Sequence, residues 1–226
     1  MELGSNCPVI VMADADLDLA VPSCVSGAFW AAGQNCLHVQ RLLVQSGVYA
    51  RVRDAFVRGA EAIRVGDKLD EATDMGPLVT EAAAERVEAA VQSAVGAGAR
   101  VLTGGTRDGA FVAPTVLEGV PEIAPLSCEE IYGPVTALYP FDTLDDAIRL
   151  ANGTDYGLQA GVFTASLATA RAAAERLDFG TVMINESTDF RIDAMPFGGR
   201  KRSGLGREGV RFTLEEMTEP KLVCFS

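Results

Sequence analysis

Short apolar runs alternate with segments of helical periodicity along this chain, and that alternation most constrains its fold. Residues 8–12, 41–45 and 135–141 are strand-like, whereas residues 17–32 and 48–63 carry apolar side chains at helical spacing. Strands separated by helices usually pair in parallel, because each helical crossover returns the chain to the same edge of the sheet. The pattern therefore predicts an α/β fold with a mainly parallel sheet and flanking helices.

The rest of the chain continues this alternation and then becomes rich in loops. Glycines and prolines mark residues 188–208 as a loop, and residues 209–217 and 221–225 follow as a short helix and a short strand. We therefore expect an α/β domain over residues 1–210 and a C-terminal helix and strand over residues 211–226. Further predicted helices are residues 80–95, 144–151 and 166–177, and further predicted strands are residues 100–102, 157–164 and 180–184.

Composition excludes several classes of protein. With 19 basic against 31 acidic residues the net charge is −12, so the phosphate backbone of a nucleic acid would be repelled. No apolar run is long enough to cross a membrane or to act as a secretory signal, and we expect a cytoplasmic protein. The single histidine, His38, and five cysteines without zinc-ligand spacing predict neither a metal site nor a disulfide framework.

Cys36 is the first candidate for chemistry. Gly33 and Gln34 precede it, which predicts a turn after the helix at residues 17–32. An ionised thiol is a strong nucleophile, and His38 would lie on the same side of the chain if this segment were extended. Each residue also has an ordinary interpretation, as a buried structural cysteine and as a surface or partly buried histidine.

Two carboxylates are further candidates. Glu2 precedes a glycine turn and would act as a general base if partly desolvated; otherwise it is a solvated surface acid. Glu130 and Tyr132 lie just before a predicted strand, where the acid would accept hydrogen bonds from ribose hydroxyls; otherwise it is an edge charge beside a half-buried tyrosine. The glycine-rich residues 196–208 lack the crossover and second strand of a dinucleotide-binding fingerprint, so they do not predict one.

Several short strings occur in an order that resembles the NAD(P)-dependent aldehyde dehydrogenase superfamily. They are Glu2-Leu3-Gly4, Gly33-Gln34-Asn35-Cys36, Gly76-Pro77-Leu78, and residues 129–134, 180–185 and 196–208. Each string alone is weak, but the ordered set is specific and covers essentially the whole chain. The resemblance is to the catalytic, C-terminal half of that superfamily.

The resemblance implies a reaction and a role for each candidate. Cys36 would attack an aldehyde carbonyl to give a hemithioacetal, and its backbone N–H would stabilise the oxyanion. Glu2 would activate the water that hydrolyses the later thioester. Glu130 would hold the nicotinamide ribose, with Tyr132 in place of the phenylalanine usual beside it, and Phe197 would lie near the substrate.

The resemblance also implies what this chain lacks. The dinucleotide-binding domain of the family precedes the position of Glu2, so the chain begins as if cut inside a larger protein. NAD or NADP would be bound mainly by that missing half, and we expect the chain alone to be inactive or impaired. Ser5 stands where the family usually has a second glycine. Residues 221–225 resemble the strand that pairs across subunits, which implies a homo-oligomer.

A small aldehyde is the expected substrate, and Arg191 favours an acidic one. Residues 189–193 resemble branches that act on aldehydes with a phosphate, phosphonate or carboxylate group, which Arg191 would clamp with two hydrogen bonds. Alternatively, Arg191 pairs with Asp189 or Asp193. Asn35, where some phosphoaldehyde enzymes have arginine, argues against an anionic substrate.

Two functions of other classes remain open from the residues alone. One is a thiol hydrolase or thioesterase that uses Cys36 with Glu2 or His38. The other is a non-catalytic remnant that serves in oligomerisation. The string at residues 130–134 favours the oxidoreductase, because a hydrolase has no need of a nicotinamide contact.

Overall fold

A seven-stranded sheet forms the centre of the computed structural model, which describes residues 1–226. The strands are β1 (Cys7–Val11), β2 (Val39–Gln45), β3 (Arg100–Thr103), β4 (Arg107–Asp108), β5 (Phe111–Val112), β6 (Thr115–Glu118), β7 (Val135–Phe141), β8 (Tyr156–Gly157), β9 (Gln159–Phe163), β10 (Thr181–Ile184) and β11 (Arg200–Lys201). The main sheet has the order β10-β9-β1-β2-β7-β6-β3, and all its pairs are parallel except β3 with β6. The predicted mainly parallel sheet is therefore confirmed.

Seven helices flank the sheet. They are α1 (Leu17–Phe29), α2 (Tyr49–Glu61), α3 (Glu81–Gly96), α4 (Pro125–Cys128), α5 (Leu144–Asn152), α6 (Leu167–Arg176) and α7 (Val210–Glu216). Four of them begin where a side-chain oxygen accepts a backbone N–H of the first turn, from Asp16, Thr80, Thr143 and Ser166. Each such cap typically contributes about 1 kcal/mol, and all four residues are visible in the sequence as helix starts.

The core lies on both faces of the central strands. Every residue of β1 and of β9 is buried, which requires cover on both sides of the sheet. This explains why these segments are continuous apolar runs rather than alternating ones. Phe29 of α1 packs against Phe56 of α2, with ring centroids 5.8 Å apart.

None of the helices is both long and apolar enough to span a bilayer.

The segments that precede neighbouring strands meet at one edge of the sheet. Cys7 at the start of β1 is in register with Val39 at the start of β2, and Arg41 is in register with Ala137 of β7. Because these strands are parallel, the loops that lead into them converge at the amino edge. Cys36 and Glu130 lie in two of those loops. Ligands of open parallel sheets usually lie at the carboxyl edge, so the location of this cluster is unusual.

Two predicted elements differ from the structure. The C-terminal strand predicted at residues 221–225 is absent: these residues are exposed and pair with no strand of the chain. A strand needs a neighbour to accept and donate its backbone hydrogen bonds, and the sequence pattern cannot show whether one is present. The helix predicted over residues 17–32 ends at Phe29, and a short 3-10 segment, Trp30–Gly33, follows it.

Candidate active site

A left-handed turn leads from α1 to Cys36. Ala31 and Ala32 have φ values of 53° and 55°, and Gly33 has a φ of 66°. Two consecutive alanines in this region are costly, because their Cβ atoms crowd the following carbonyl oxygens. A Cβ on Gly33 would lie 2.2 Å from the carbonyl oxygen of Gly133, so only glycine fits there. The turn therefore packs the Cys36 loop against the loop that precedes β7.

Polar side chains of the same loop fix its shape. Asn35 accepts the backbone N–H of Leu37 at 3.0 Å, and its amide donates to the carbonyl of Trp30 at 3.3 Å. Gln34 accepts the backbone N–H of Val79 at 2.9 Å, which ties the loop to a segment far away in the sequence. These bonds hold Cys36 at the tip of a turn rather than in an extended strand.

The thiol of Cys36 is half-buried beside an aromatic cluster. Its side chain packs against Leu37, Leu158 and Phe197, and Phe197 is almost fully buried. Burial raises the pKa of the Cys36 thiol above its ordinary value, and the negative charge of Glu2 raises it further. The backbone N–H of Cys36 itself opposes this shift. The free thiol is therefore mostly protonated at neutral pH, and a base must remove its proton before it acts as a nucleophile.

The backbone around Glu2 is held by residues from the far end of the sequence. Leu3 donates its N–H to the carbonyl of Ser203 at 2.9 Å, and Glu2 forms an isolated antiparallel bridge with Gly204. A Cβ on Gly204 would lie 2.1 Å from the carbonyl oxygen of Met1, so the glycine is needed for this close approach. Ser203 is fully buried and accepts the backbone N–H of Gly157 at 2.9 Å.

A second carboxylate, Glu208, lies beside Glu2. Partial burial raises the pKa of Glu2, and the charge and hydrogen bond of Glu208 raise it further, whereas the charge of Arg191 lowers it. A neighbouring negative charge disfavours ionisation, so Glu2 keeps its proton to a higher pH than a solvated glutamate does. Glu2 is thus a stronger base than an ordinary solvated glutamate.

Arg191 connects this carboxylate pair to the aromatic cluster. Its guanidinium carbon lies 4.1 Å from the centre of the Phe197 ring, and its Nη2 pairs with Glu208. The alternative expected from the sequence, a pair with Asp189 or Asp193, is therefore wrong. Asp189 instead accepts the hydroxyl of Ser26 at 3.1 Å. Arg191 remains partly exposed, so a further face of its guanidinium is open to solvent.

Glu130 faces the backbone that follows Glu2. Its Oε1 accepts the N–H of Ser5 at 2.9 Å, and its Oε2 has no donor. A Cβ on Gly4 would lie 2.7 Å from Oε2, which explains the glycine before Ser5. Burial raises the pKa of Glu130, and the Ser5 N–H and the charge of Arg86 oppose that shift. Tyr132, in a left-handed backbone with φ of 54°, is 42% exposed beside it.

A ribose is one group that these features suit. Ribose hydroxyls donate hydrogen bonds, and Oε2 of Glu130, which has no donor within the chain, is free to accept one. The exposed ring of Tyr132 offers a flat apolar surface next to that acceptor.

A buried network of side-chain amides holds the backbone of the Glu130 loop in place. Gln40 donates to the carbonyls of Leu126 and Glu129, both at 2.7 Å, and accepts the N–H of Ile131 at 2.9 Å. Asn6 donates to the carbonyl of Glu129 at 3.0 Å. Both amides belong to or adjoin central strands, so the rigid sheet fixes the position of Glu130.

His38 does not pair with Cys36. The segment turns at Cys36 and Leu37, so the two side chains do not share a side as an extended chain would require. His38 is buried, and burial lowers its pKa to about 4, which keeps the ring neutral. The backbone carbonyl of Ala28 is its one hydrogen-bonding neighbour, and Nε2 has no partner. A thiol hydrolase with His38 as base is therefore incompatible with this geometry.

One residue of the cluster was missed by the sequence analysis. Glu208 ends the glycine-rich segment at residues 196–208, whose sequence predicts only a loop, yet it contacts both Glu2 and Arg191. Its partners lie 206 and 17 positions away in the chain, so no local pattern indicates the contact.

The structure also contains no group of three or more His, Cys, Asp or Glu side chains placed to hold a metal ion.

Comparison with known proteins gives a single family. The model of the aldehyde dehydrogenase family matches residues 1–223. A putative aldehyde-dehydrogenase-like protein of Sinorhizobium fredii is 56% identical over 226 residues, which are 100% of this chain and 44% of that protein. Aspartate-semialdehyde dehydrogenase 1 of Pseudomonas canavaninivorans is 53% identical over 100% of this chain and 48% of its own length. The chain thus spans about half the length of the curated relatives it matches.

A solved structure agrees with these matches. The crystal structure of a glyceraldehyde-3-phosphate dehydrogenase of Methanocaldococcus jannaschii, in complex with NADP, superposes with a TM-score of 0.93 at 44% identity. The superposition covers 96% of this chain and 47% of that one. Sequence and fold thus point to the same set of proteins along nearly the entire chain, and the protein belongs to the aldehyde dehydrogenase family.

Proposed function

We propose that this chain is the catalytic part of an enzyme that oxidises an aldehyde to a carboxylate through a thioester on Cys36. The observation that carries the proposal is that Cys36 packs on the buried cluster that contains Phe197, while Arg191, which lies over the Phe197 ring, pairs with Glu208 beside Glu2. A structural cysteine gains nothing from a nearby carboxylate. A nucleophile that must later yield its acyl group to water needs one.

The first step forms the C–S bond. A base accepts the proton of the Cys36 thiol, the sulfur attacks the carbonyl carbon, and the carbonyl π electrons move to oxygen. The backbone N–H of Cys36, which acts on its own sulfur in the free protein, would donate to that oxyanion. The buried cluster around Phe197 keeps bulk water from the sulfur on one side.

A bound NAD or NADP would supply the acceptor for the hydride that leaves the adduct. In this chain, the donor-free oxygen of Glu130 would hold the ribose hydroxyls, and Tyr132 would cover the neighbouring face. The amide network beneath the Glu130 loop orients that carboxylate toward the same edge of the sheet as Cys36. The choice between NAD and NADP depends on the adenosine ribose, whose contacts we place outside this chain.

Glu2 completes the cycle by releasing the acyl group. Its carboxylate accepts a proton from water, the resulting hydroxide attacks the thioester carbon, and the C–S bond breaks to return the Cys36 thiolate and a carboxylic acid. The neighbouring Glu208 and partial burial raise the pKa of Glu2, which makes its carboxylate a better proton acceptor. A thioesterase would share this last step, but it would have no use for the ribose acceptor at Glu130.

The test of this proposal is a trapped intermediate. We expect the protein that carries this chain, mixed with aldehyde and NAD or NADP and quenched in acid, to contain an acyl group on the Cys36 peptide. Peptide mass spectrometry would detect the added mass, and omission of the dinucleotide should abolish it because the hemithioacetal reverts on unfolding. A peptide of another cysteine carrying the acyl group would contradict the assignment.

We propose further that the substrate carries an acidic group that Arg191 binds. Arg191 lies over Phe197, next to the buried cluster that contains Cys36, and part of its guanidinium is exposed. Two of the proteins to which this chain is similar are dehydrogenases of aspartate semialdehyde and of glyceraldehyde 3-phosphate, both acidic aldehydes. In the free protein Glu208 is the ion-pair partner of Arg191. An acidic substrate would replace Glu208 in that pair.

Replacing Arg191 by leucine is expected to raise KM for a carboxylate-bearing aldehyde by about 10- to 100-fold, because one charge-assisted pair is lost. KM for an uncharged aldehyde of equal length should change little. Steady-state kinetics with both substrates measures the difference, and Arg191→Lys, which keeps the charge but not the fork, should give an intermediate value. An equal change in KM for the two aldehydes would rule out anion binding by Arg191.

Three expectations complete the proposal. The isolated chain is expected to bind NAD or NADP weakly and to turn over aldehyde slowly, since it spans about half the length of its relatives. Residues 1–210 act as the catalytic unit, and residues 211–226 join copies of the protein in a homo-oligomer. We place the enzyme in the cytoplasm, on the basis of its composition.

A further inference from the structure

A cavity of about 120 Å³ lined by both charged and apolar side chains lies between β2, β7, α5 and the segment that contains α4. Its lining includes none of Cys36, Glu2 or Glu130. One water needs roughly 10–15 Å³ of such space, so the cavity holds more than a single water. It is built by the sheet itself, because Leu43 of β2 is in register with Tyr139 of β7 and both line its floor.

Arg41 brings an uncompensated positive charge to this cavity. The side chain is 4% exposed, and it donates to the side-chain and main-chain oxygens of Asn6 and to the carbonyls of Leu150 and Ala151. These four bonds use four of the five guanidinium N–H groups and leave one on Nη1 without a partner. All four acceptors are uncharged, and no carboxylate contributes to the pKa of Arg41, which burial lowers to about 10. A buried charge of this kind is costly without a counter-ion.

Thr154 provides an unused hydroxyl in the same cavity. The residue is 9% exposed and lines the cavity, and its Oγ1 is buried without any hydrogen-bond partner. Buried hydroxyls in native proteins nearly always have a partner, so this group indicates a missing one. The backbone carbonyl of Thr154 is already taken, since it accepts Lys201 Nζ at 2.9 Å.

The remaining charges also favour an anion. Arg149 lines the cavity and is paired with Glu122 at 2.8 Å, which leaves further N–H groups of its guanidinium free. The cavity is thus lined by the cations Arg41 and Arg149 and by the single acid Glu122, which leaves one positive charge in excess. A neutral or cationic ligand would leave that excess uncompensated.

We propose that this cavity binds one small oxyanion of the size of phosphate or sulfate. The free N–H of Arg41 and the hydroxyl of Thr154 donate to it from the buried end, and Arg149 donates from the mouth. The anion supplies the counter-charge that Arg41 lacks and the partner that Thr154 lacks. Because the cavity is separate from the Cys36 site, this inference does not depend on the proposed reaction.

The test is a thermal-unfolding titration of the protein with sodium phosphate against sodium chloride at matched ionic strength. Once phosphate exceeds its Kd about 100-fold, the bound anion is expected to raise Tm by roughly 5 to 10 °C. Phosphate also stabilises proteins without binding to a site, so the comparison is with Thr154→Val. That variant keeps the shape of Thr154, loses only the hydroxyl, and should be at least as stable as wild type in chloride.

The expected result is a saturable rise of Tm in wild type that is much smaller in Thr154→Val. Arg149→Gln should shift the midpoint of the titration to several-fold higher phosphate, and Thr106→Val, at an exposed site, should match wild type. Equal phosphate responses of wild type and Thr154→Val would overturn the proposal and leave a cavity that holds only water. A failed acyl trap at Cys36 would leave this result untouched.

Discussion

Replacing Cys36 by alanine in the protein that carries this chain is expected to reduce kcat for aldehyde oxidation by at least about 10⁴-fold. The variant has no sulfur to form the adduct from which hydride leaves, and direct transfer from a hydrated aldehyde lacks the covalent route. The side chain is half-buried in a turn that its neighbours hold, so loss of the sulfur should leave the fold intact. Stopped-flow absorbance of the reduced dinucleotide measures the loss.

Ser93→Ala is the control for this experiment. Ser93 is exposed on α3, away from the residues around Cys36, so its replacement should leave kcat and KM unchanged. Binding of the oxidised dinucleotide to Cys36→Ala should also be unchanged, which separates chemistry from folding. Residual activity within tenfold of wild type in Cys36→Ala would mean that another group is the nucleophile.

Replacing Glu2 by glutamine is expected to change two measurements in opposite directions. Hydrolysis of the thioester should slow by about 10²- to 10⁴-fold, because the amide cannot accept a proton from water. Alkylation of the free Cys36 thiol by iodoacetamide near pH 8 should become faster. The charge of Glu2 raises the pKa of Cys36, so its removal increases the thiolate fraction at that pH.

The pH dependence follows from the same two groups. The pKa of Glu2 lies above its ordinary value of 4.5, so wild-type turnover should fall as the pH drops through that raised pKa and the base becomes protonated. The pKa of Cys36 is raised as well, so alkylation should increase with pH beyond neutrality. In Glu2→Gln the acid limb of turnover should be lost, and the alkylation profile should move to lower pH.

Glu61→Gln, at an exposed position at the end of α2, is the control for Glu2→Gln and should alter neither rate. In rapid-quench experiments the acyl group on Cys36 should accumulate in Glu2→Gln, because it forms faster than it is hydrolysed. Slower turnover together with slower alkylation would contradict the proposed roles, since both would then reflect a damaged Cys36 loop.

Much of the fold could be predicted from local patterns. The strand at Val135–Phe141 and the capped starts of α3, α5 and α6 agree with the sequence, because periodicity and capping chemistry are properties of short segments. The short hairpin of β4 and β5 was missed, since two-residue strands carry no period. The strand predicted at residues 221–225 does not form within the single chain, because pairing depends on a neighbour and not on the segment itself.

The sequence by itself determined the order of strands and helices and, through an ordered set of motifs, the family and the candidates Cys36, Glu2 and Glu130. Only the tertiary structure decided which of these residues contact one another. It places Glu208 and Arg191 next to Glu2, separates the side chains of His38 and Cys36, and encloses Arg41, which has no carboxylate partner, and the hydroxyl of Thr154 in one cavity. The physical reason is that pKa shifts and unsatisfied hydrogen bonds depend on burial and on distance through space. Residues some 200 positions apart in the sequence do not affect one another in this way until the parallel sheet brings their loops to one edge.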